Sequence, residues 1–370
     1  MTWPAWIADQ LAATAEAGRW RQVNTYDGRG TTLVTADGRT LTSFAANDYL
    51  GLAGHPATVA AAHDALDRWG AGTGSARLIV GSRPIHAELE RALAEWRGTE
   101  AALVTPTGYQ ANLAVLSAFG PGARIVSDEL NHASIIDGAR LARTDVGVYR
   151  HGDVDHADAL VAQAGGRALV VTDSVFSMDG DVAPVTELSA CCARRGALLV
   201  LDDAHAVLDV PDADPEAACI RVGTLSKALG ALGGYVAGSR AVVDVLVNRA
   251  RPFIFTTAPA PAPMAAALAA VEICRSPEGD ALRGRLRHHV DAVRPGHPSP
   301  IIPFVIGGEK AALAAAAKLV GAGLVVPAIR PPTVPVGTSR LRVALSAGHT
   351  DDQVAALTAT LDCLGLRCCP

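Results

Sequence analysis

Residues 196–205 read Gly-Ala-Leu-Leu-Val-Leu-Asp-Asp-Ala-His, an unbroken apolar run that ends on two acids and a histidine. A strand that is apolar on both faces is typical of a parallel sheet with helices on either side. Ligands of such sheets collect at the carboxyl ends of the strands, and Asp202 and His205 fall at that end of this one. The run therefore predicts a buried central strand that delivers polar side chains to a binding site.

Similar apolar runs occur before and after this one, with stretches of helical periodicity between them. Helices are predicted at 109–119, 133–142 and 259–275. Alternation of this kind favours an α/β fold, with a mostly parallel central sheet and helices on both faces. The strands of that sheet are predicted at 101–104, 124–127, 146–149, 168–172, 197–201, 220–223 and 234–237.

Three segments are predicted along the chain. Residues 1–43 hold an amphipathic helix over 1–20 and a hairpin with strands at 31–35 and 40–44. Residues 44–284 form the large domain that contains the sheet. Residues 285–370 form a small C-terminal α/β domain, with strands at 301–306, 324–329 and 341–346 and helices at 309–320 and 350–364.

The composition is that of a well-buried globular protein and argues against several other classes. The 370 residues are 49% hydrophobic and 19% charged, which excludes disorder. The net charge of -5, without Lys/Arg runs, argues against a nucleic-acid or membrane surface. We read no signal peptide or membrane-spanning run and expect a cytoplasmic protein. The seven cysteines lack metal-ligand spacing and predict structural thiols rather than a metal site.

A single lysine lies among apolar residues downstream of the two acids, in the stretch Thr224-Leu-Ser-Lys227-Ala-Leu-Gly230. Burial strips solvation from an ammonium group and favours the neutral amine. A neutral amine can attack an aldehyde, and the resulting Schiff base is the usual anchor of pyridoxal phosphate. Asp202 would then be the acid that the pyridine nitrogen requires. From composition alone, a surface lysine and a loop-capping aspartate are an equal alternative.

Three further polar clusters follow predicted strands. Residues 107–109 could present backbone N–H groups and a helix N-terminus to an anion. His132 could lie against an aromatic cofactor or could cap its helix. Ser177 lies in the acidic stretch 173–181, whose spacing does not match a calcium loop. Its hydroxyl could contact a cofactor ring, and the alternative is an ordinary polar turn.

The glycine-rich stretch 69–77 has only a superficial similarity to a dinucleotide-binding loop. It follows a predicted helix rather than a strand, which disfavours a nicotinamide dehydrogenase and predicts a flexible loop that could approach a ligand closely. Near the C-terminus, Arg340 and Arg342 alternate along a strand and should point to the same face. There an arginine could clamp a carboxylate or form a surface ion pair.

Together these segments resemble the α-oxoamine synthases, pyridoxal-phosphate-dependent transferases of fold type I. These enzymes join an amino acid to an acyl thioester with loss of carbon dioxide. The first forty residues are much less diagnostic than the rest. From about Ser43 onward the matching strings occur in family order: NDYLGLAGHP, WGAGTGSARLIVG, GYQANLA, LNHAS, DSVFSMDGD, DDAH, TLSKALG, RPFIFTT and RPPTVPVGTSRLR.

The resemblance implies a role for individual residues around the cofactor ring. Lys227 would form the Schiff base and later take the Cα proton of the amino acid. Asp202 would pair with the protonated pyridine nitrogen, and His132 would stack on the ring. Ser177 and His205 would contact the phenolic oxygen.

The same resemblance implies a phosphate site shared between the subunits of a homodimer. Gly108 and Tyr109, with the Thr224 hydroxyl, would hold the phosphate. Thr256 or Thr257 would reach it from the second subunit.

For the substrates, the resemblance implies that Asn47 and Arg342 bind the amino acid, with Arg342 on its carboxylate. Arg21 would meet the far carboxylate of an acyl chain. The implied substrates are L-alanine and a pimeloyl thioester, carried by coenzyme A or by a carrier protein. The alternatives are a sister activity, such as glycine with acetyl-CoA, and a non-catalytic partner subunit. The latter would be expected to lack Lys227 or Asp202, and both are present.

One segment departs from the family pattern. The family usually continues after the Asp-x-x-His motif with a glycine-rich run, whereas residues 206–215 here read Ala-Val-Leu-Asp-Val-Pro-Asp-Ala-Asp-Pro. The path to Lys227 is also shorter. Because of this departure, the resemblance does not predict the geometry beside His205, the choice of acyl donor or the subunit contacts of this segment.

Overall fold

The computed structural model describes residues 1–208 and 212–366, so that part of the segment after His205 and the last two cysteines, Cys368 and Cys369, lie outside it. The helices are α1 (Trp3–Glu16), α2 (Pro56–Trp69), α3 (Pro84–Arg97), α4 (Gly108–Phe119), α5 (Ala133–Ala142), α6 (Val154–Ala162), α7 (Val185–Arg195), α8 (Arg240–Arg249), α9 (Arg251–Ile254), α10 (Pro261–Cys274), α11 (Pro277–Val293), α12 (Glu309–Gly321) and α13 (Asp351–Cys363). The strands are β1 (Asp27–Arg29), β2 (Thr32–Val34), β3 (Thr40–Ser43), β4 (Ala101–Thr105), β5 (Arg124–Asp128), β6 (Val146–Tyr149), β7 (Ala168–Asp173), β8 (Leu198–Asp202), β9 (Cys219–Thr224), β10 (Gly234–Gly238), β11 (Ile301–Gly307), β12 (Leu324–Val325), β13 (Ala328–Ile329) and β14 (Ser339–Ala344).

A seven-stranded sheet forms the centre of the molecule, in the order β4-β10-β9-β8-β7-β5-β6. The strands from β9 to β6 are parallel to their neighbours, whereas β10 is antiparallel to both β4 and β9. The predicted mostly parallel sheet is confirmed. The apolar run that ends on Asp202 is its middle strand, β8.

The side chains of β8 alternate between two helical layers. Val200 packs in the apolar cluster that includes residues of α4 and α5. Leu199 and Leu201 pack in the opposite cluster, with residues of α6 and α7. All three are fully buried, as a strand covered on both faces requires.

One of the two smaller sheets, β1-β2-β3-β12, connects the two ends of the chain, and the other, β11-β14-β13, contains C-terminal strands only. The predicted continuous strand over 324–329 is wrong, because its halves belong to different sheets. β12 pairs in parallel with β3 of the N-terminal hairpin, whereas β13 pairs antiparallel with β14. Pro327 lies between them and has no N–H with which to continue a ladder. The proposed boundary between the large and small domains, at 284/285, falls inside α11.

The N-terminal helix is shorter than the predicted 1–20. α1 ends at Glu16, and Gly18 follows in the left-handed conformation, with φ of +65°. No residue of α1 is buried against the described part of the chain, and Trp3, Trp6 and Ile7 are exposed. In the ranges that the structure covers, no helix has the length and hydropathy to cross a membrane.

The sheet brings five strand ends to one edge of the molecule. Because β4 and β9 run in the same direction as β5, β7 and β8, their carboxyl ends lie together. These strands end at Thr105, Asp128, Asp173, Asp202 and Thr224. The residues that follow them are those for which the sequence predicts chemical roles.

Leu201→Ala should lower the free energy of unfolding by about 2–5 kcal/mol, because it leaves a cavity in a fully buried layer beneath Asp202. Urea denaturation followed by circular dichroism measures the change. The matched control is Leu141→Ala on α5, whose side chain is 56% exposed and whose loss should cost less than about 1 kcal/mol. Equal losses in the two variants would contradict the assignment of β8 to the core.

Candidate active site

A cavity of about 250 Å3 opens at the carboxyl edge of the sheet. The predicted site residues that line it are Gly108, Tyr109, His132, Ser177, Asp202, His205, Thr224 and Lys227. It is also lined by Thr107, Asn112, Ser134, Asp173, Ala204 and Ser226. Residues that are up to 120 positions apart in the sequence therefore meet in one pocket (from Thr107 to Lys227).

Lys227 is the amine of this cavity. Its neighbours Leu225 and Leu229 are fully buried, and burial lowers the pKa of the Lys227 ammonium, although Asp202 and Asp173 oppose the shift. Its Nζ lies 2.8 Å from His205 Nε2. The chain has three lysines, and the other two, Lys310 and Lys318, are exposed on α12. The chemistry of a desolvated amine at the cavity wall can therefore be assigned to one residue.

Asp202 is a buried carboxylate held by two donors. Asn112 Nδ2 donates to its Oδ2 at 2.6 Å, and the backbone N–H of Ala204 donates to its Oδ1 at 3.0 Å. Asn112 also contacts Ser134 Oγ, which lies 2.8 Å from His132 Nδ1. The network fixes the acid relative to the His132 ring. Sequence reasoning missed Asn112, although it lies one turn into α4 within the quoted string GYQANLA.

A second buried acid, Asp173, lies beside Asp202 on the neighbouring strand, in direct register. It accepts the backbone N–H of His132 at 3.0 Å. Burial raises the pKa of Asp173 well above its usual value, and the charge of Asp202 raises it further. Burial and the neighbouring charge of Asp202 therefore both favour the protonated form of Asp173.

His205 connects Lys227 to a polar chain on the far side of the cavity wall. Burial lowers the pKa of His205 well below its usual value, as does the charge of Lys227, so the ring is neutral. Its Nδ1 lies 2.6 Å from the hydroxyl of Tyr49, which is 3.1 Å from Asn47 Oδ1. If Tyr49 donates to Asn47, His205 donates from Nδ1 and its Nε2 accepts from Lys227.

Arg342 completes that chain of contacts. It donates to Asn47 Oδ1 at 3.2 Å and to the carbonyl oxygen of Ser177. Arg340 is also buried, and its guanidinium pairs with Asp179 rather than facing solvent. The predicted common face of the two arginines is confirmed, since both reach the 173–181 turn. Tyr49, which joins this group to His205, was missed, although it lies in the quoted string NDYLGLAGHP.

The start of α4 offers backbone donors to an anion. Thr107 caps the helix by accepting the N–H of Gln110 at 3.1 Å, and Gly108 follows at the cavity wall. A Cβ atom on Gly108 would lie 3.1 Å from Thr224 Cβ, so the two segments meet closely. The Tyr109 ring stands edge-on to His132, with 6.2 Å between ring centroids. A helix N-terminus of this kind favours a phosphate.

The remaining predicted residues lie outside this cavity. Thr257 forms an isolated bridge with Ala76, so the 256–257 stretch lies against the glycine-rich loop. That loop follows a helix, α2, whereas a dinucleotide-binding loop would follow a strand. Arg21 lines a separate cavity of about 520 Å3 together with Arg330.

The donor set of the cavity fits pyridoxal phosphate. It combines a desolvated amine, a carboxylate held by two N–H donors, a histidine ring and a helix N-terminus that can receive a phosphate. A doubly layered, mostly parallel sheet with these groups at its carboxyl edge defines a pyridoxal-phosphate-dependent enzyme of fold type I.

Comparisons with known proteins agree with this class and narrow it. A family model for aminotransferase class I and II matches residues 39–361. The 8-amino-7-oxononanoate synthase of Alkalilimnicola ehrlichii is 46% identical over 378 residues, covering 96% of each chain. The chain therefore belongs to the class I and II aminotransferase family, among the relatives of 8-amino-7-oxononanoate synthase.

Solved structures give the same architecture. Sphingomonas wittichii serine palmitoyltransferase is 31% identical, with a TM-score of 0.87 and 98% coverage of both chains. A high-resolution structure of SPT with its PLP internal aldimine is 28% identical, with a TM-score of 0.88 and the same coverage. The predicted fold type and cofactor are confirmed.

Gly234→Ala should weaken pyridoxal phosphate binding by about tenfold or more, the effect of losing one hydrogen bond to a charged group. A Cβ atom there would lie 2.5 Å from the Gly108 nitrogen and would displace the start of α4. Absorbance titration of the cofactor-free protein measures the dissociation constant. Gly238→Ala on the same strand is the control, since its nearest contact would be 3.4 Å from Val242 Cγ1. Unchanged affinity in Gly234→Ala would rule out this phosphate site.

Proposed function

We propose that this enzyme condenses L-alanine with a pimeloyl thioester, giving 8-amino-7-oxononanoate, carbon dioxide and a free thiol in biotin biosynthesis. Relatives that carry the name 8-amino-7-oxononanoate synthase are 42–47% identical over nearly the whole chain. The observation that carries the proposal is the placement of Lys227, the only one of three lysines in the cavity, in the same pocket as Asp202.

Lys227 and Asp202 would divide the acid–base work. When bound, pyridoxal phosphate supplies an aldehyde that captures the amino acid and a cationic ring that withdraws electrons from its Cα. The lowered pKa of Lys227 favours its neutral amine, which is the form that can accept the Cα proton. Asp202, fixed by Asn112 and Ala204, would accept a hydrogen bond from the protonated pyridine nitrogen and so keep the ring cationic. His132 would lie on the ring, and Ser177 and His205 would contact its phenolic oxygen.

Arg342 would bind the carboxylate of the amino acid together with Asn47. Its guanidinium is already oriented by Asn47 Oδ1 and by the Ser177 carbonyl at the cavity wall. A preoriented guanidinium loses little side-chain entropy when it receives a carboxylate. This arrangement supports an amino acid substrate held with its Cα toward Lys227.

Arg21 would receive the far carboxylate of the acyl chain. A cavity of about 450 Å3 shares Ser177 with the lysine cavity and Thr333 with the cavity of Arg21. The middle cavity therefore adjoins the other two, which supports binding of a long acyl chain that carries a charge at its end. The acyl carrier would be coenzyme A or a carrier protein.

The enzyme would act as a cytoplasmic homodimer, with Thr256 or Thr257 reaching the phosphate of the partner subunit. Near Thr257, the 77–81 turn exposes Leu78, Ile79 and Val80, and Phe255 is 70% exposed. Exposed apolar side chains next to each other favour burial in an interface. This placement supports the shared site, because neither threonine lines the cavity of its own chain.

Lys227→Ala should reduce turnover by roughly a thousandfold or more, because no other amine lines the cavity. Borohydride reduction of the yellow wild-type protein, followed by peptide mass spectrometry, should place the cofactor on Lys227. The control is Lys310→Ala, which removes an exposed lysine and should keep colour, labelling and activity. Cofactor found on Lys310 or Lys318 would overturn the proposed site.

The second candidate is a sister reaction with another amino acid or acyl thioester, such as glycine with acetyl-CoA. The fold match to a serine palmitoyltransferase keeps this class open. A panel of alanine, glycine and serine, each with pimeloyl-CoA and acetyl-CoA, should give the highest kcat/KM for alanine with pimeloyl-CoA, read by thiol release. A higher value for any other pair would assign the sister activity instead.

A further inference from the structure

His151 lies outside the cavity and joins two turns that form its wall. Its Nδ1 is 3.0 Å from Asp128 Oδ1, and its Nε2 is 2.7 Å from Asp181 Oδ2. Asp128 ends β5, four positions before His132, and Asp181 lies four positions after Ser177. One imidazole ring thus connects the turn that carries the ring-stacking histidine to the turn that carries Ser177.

Both contacts require the protonated form of the ring. An imidazole donates from both nitrogens only as the imidazolium cation. The hydrogen bonds to Asp128 and Asp181 raise the pKa of His151 to about 10, so the cation is the form present at neutral pH. The ring is also packed edge-on against Phe176, at 4.4 Å between centroids. It is therefore held by two charged hydrogen bonds and one aromatic contact.

The first of the two turns is held by hydrogen bonds around Asp128. The Asp128 side chain is buried and accepts the backbone N–H groups of Leu130 at 2.8 Å and Gly152 at 3.0 Å. Asn131 then donates to the carbonyl of Val171. A displacement of Asp128 would therefore be transmitted along a few tightly bonded residues to His132.

The second turn is closed by its own backbone. Phe176 donates its N–H to the carbonyl of Asp181 at 3.0 Å, and Gly180 donates to the carbonyl of Phe176 at 2.8 Å. The Ser177 carbonyl, between these bonds, accepts from Arg342. The position of Asp181 therefore sets where Ser177 and Arg342 stand relative to the cavity.

We propose that His151 is a positioning residue of the active site, whose doubly bonded ring sets the separation between the His132 turn and the Ser177 turn. These turns would lie on the face and at the phenolic edge of the cofactor. The inference rests on the proposed function, since it concerns the space in which pyridoxal phosphate would be held. His151 itself does not line the cavity and would act only through Asp128 and Asp181.

The test is His151→Gln, because the two N–H donors of glutamine lie on a single nitrogen, whereas Asp128 and Asp181 bond to different nitrogens of the His151 ring. Its dissociation constant for pyridoxal phosphate should rise by about 2- to 30-fold, the range typical of residues that affect a site without contacting the ligand. The visible circular dichroism of the bound cofactor should also weaken, because its surroundings are less fixed. The matched control is His63→Gln, which replaces an exposed histidine of α2 and should leave both values unchanged.

The wild-type protein separates this inference from the proposed function. If the wild type does not bind pyridoxal phosphate, the proposed function fails, whatever the variants do. If the wild type binds it and folded His151→Gln gives the same dissociation constant and the same dichroism, the positioning role is overturned. Should His151→Gln fail to fold, Asp181→Asn takes its place, since it removes one charge at a half-exposed end of the contact. The same shifts are then expected, and their absence overturns the inference.

The contact should also have a pH signature. The charged groups around His151 are Asp128 and Glu129 on the first turn and Asp181 on the second, and His297 approaches Asp181 from the loop after α11. Because the folded state raises the pKa of His151 from 6.5 to about 10, its stabilisation is complete below pH 6.5 and is lost as the pH rises to about 10. The gap in unfolding midpoint between wild type and His151→Gln should narrow over that range. A constant gap would contradict a charged contact.

Discussion

The site depends on keeping the Lys227 amine out of water while Asp202 stays in place beside it. Burial lowers the pKa of the Lys227 ammonium, and the nearby Asp202 raises it. The effect of burial is the larger one, so the pKa of the amine is lowered overall. That balance requires Leu225 and Leu229 to be buried and Asp202 to be held by Asn112. The apolar layers on both faces of β8 are what make such burial possible.

The central sheet could be predicted from sequence because its signal is local. Apolar runs such as 198–202 have to be covered on both faces, and each predicted strand of that sheet occurs with its ends moved by one residue or less. The predicted strand at 324–329 fails for a non-local reason. Its first half pairs with β3, which lies nearly 300 positions earlier in the chain. No sequence pattern within 324–329 indicates that pairing.

Site residues could be predicted where the residue type itself indicates the chemistry. Residues whose role is to support another side chain were missed. Lys227, Asp202 and His205 stand out because an amine, an acid and an imidazole follow apolar strands. Asn112 and Tyr49 serve residues that are 90 and 156 positions away, so their roles exist only after folding. His151 belongs to the same group, since both of its carboxylate partners come from other turns.

Burial shifts the pKa values of several groups in the cavity toward their neutral forms. Burial and the charge of Asp202 raise the pKa of Asp173, and burial and the charge of Lys227 lower the pKa of His205, so both shifts favour the neutral form. Asp202, held by Asn112 and by the backbone N–H of Ala204, is the acid placed to meet a cationic ring. Placing the imidazolium of His151 outside the cavity is consistent with this balance, because a further cation inside would compete for Asp202. The imidazolium of His151, which would position the two turns, is therefore kept apart from Asp202, which would act on the cofactor ring.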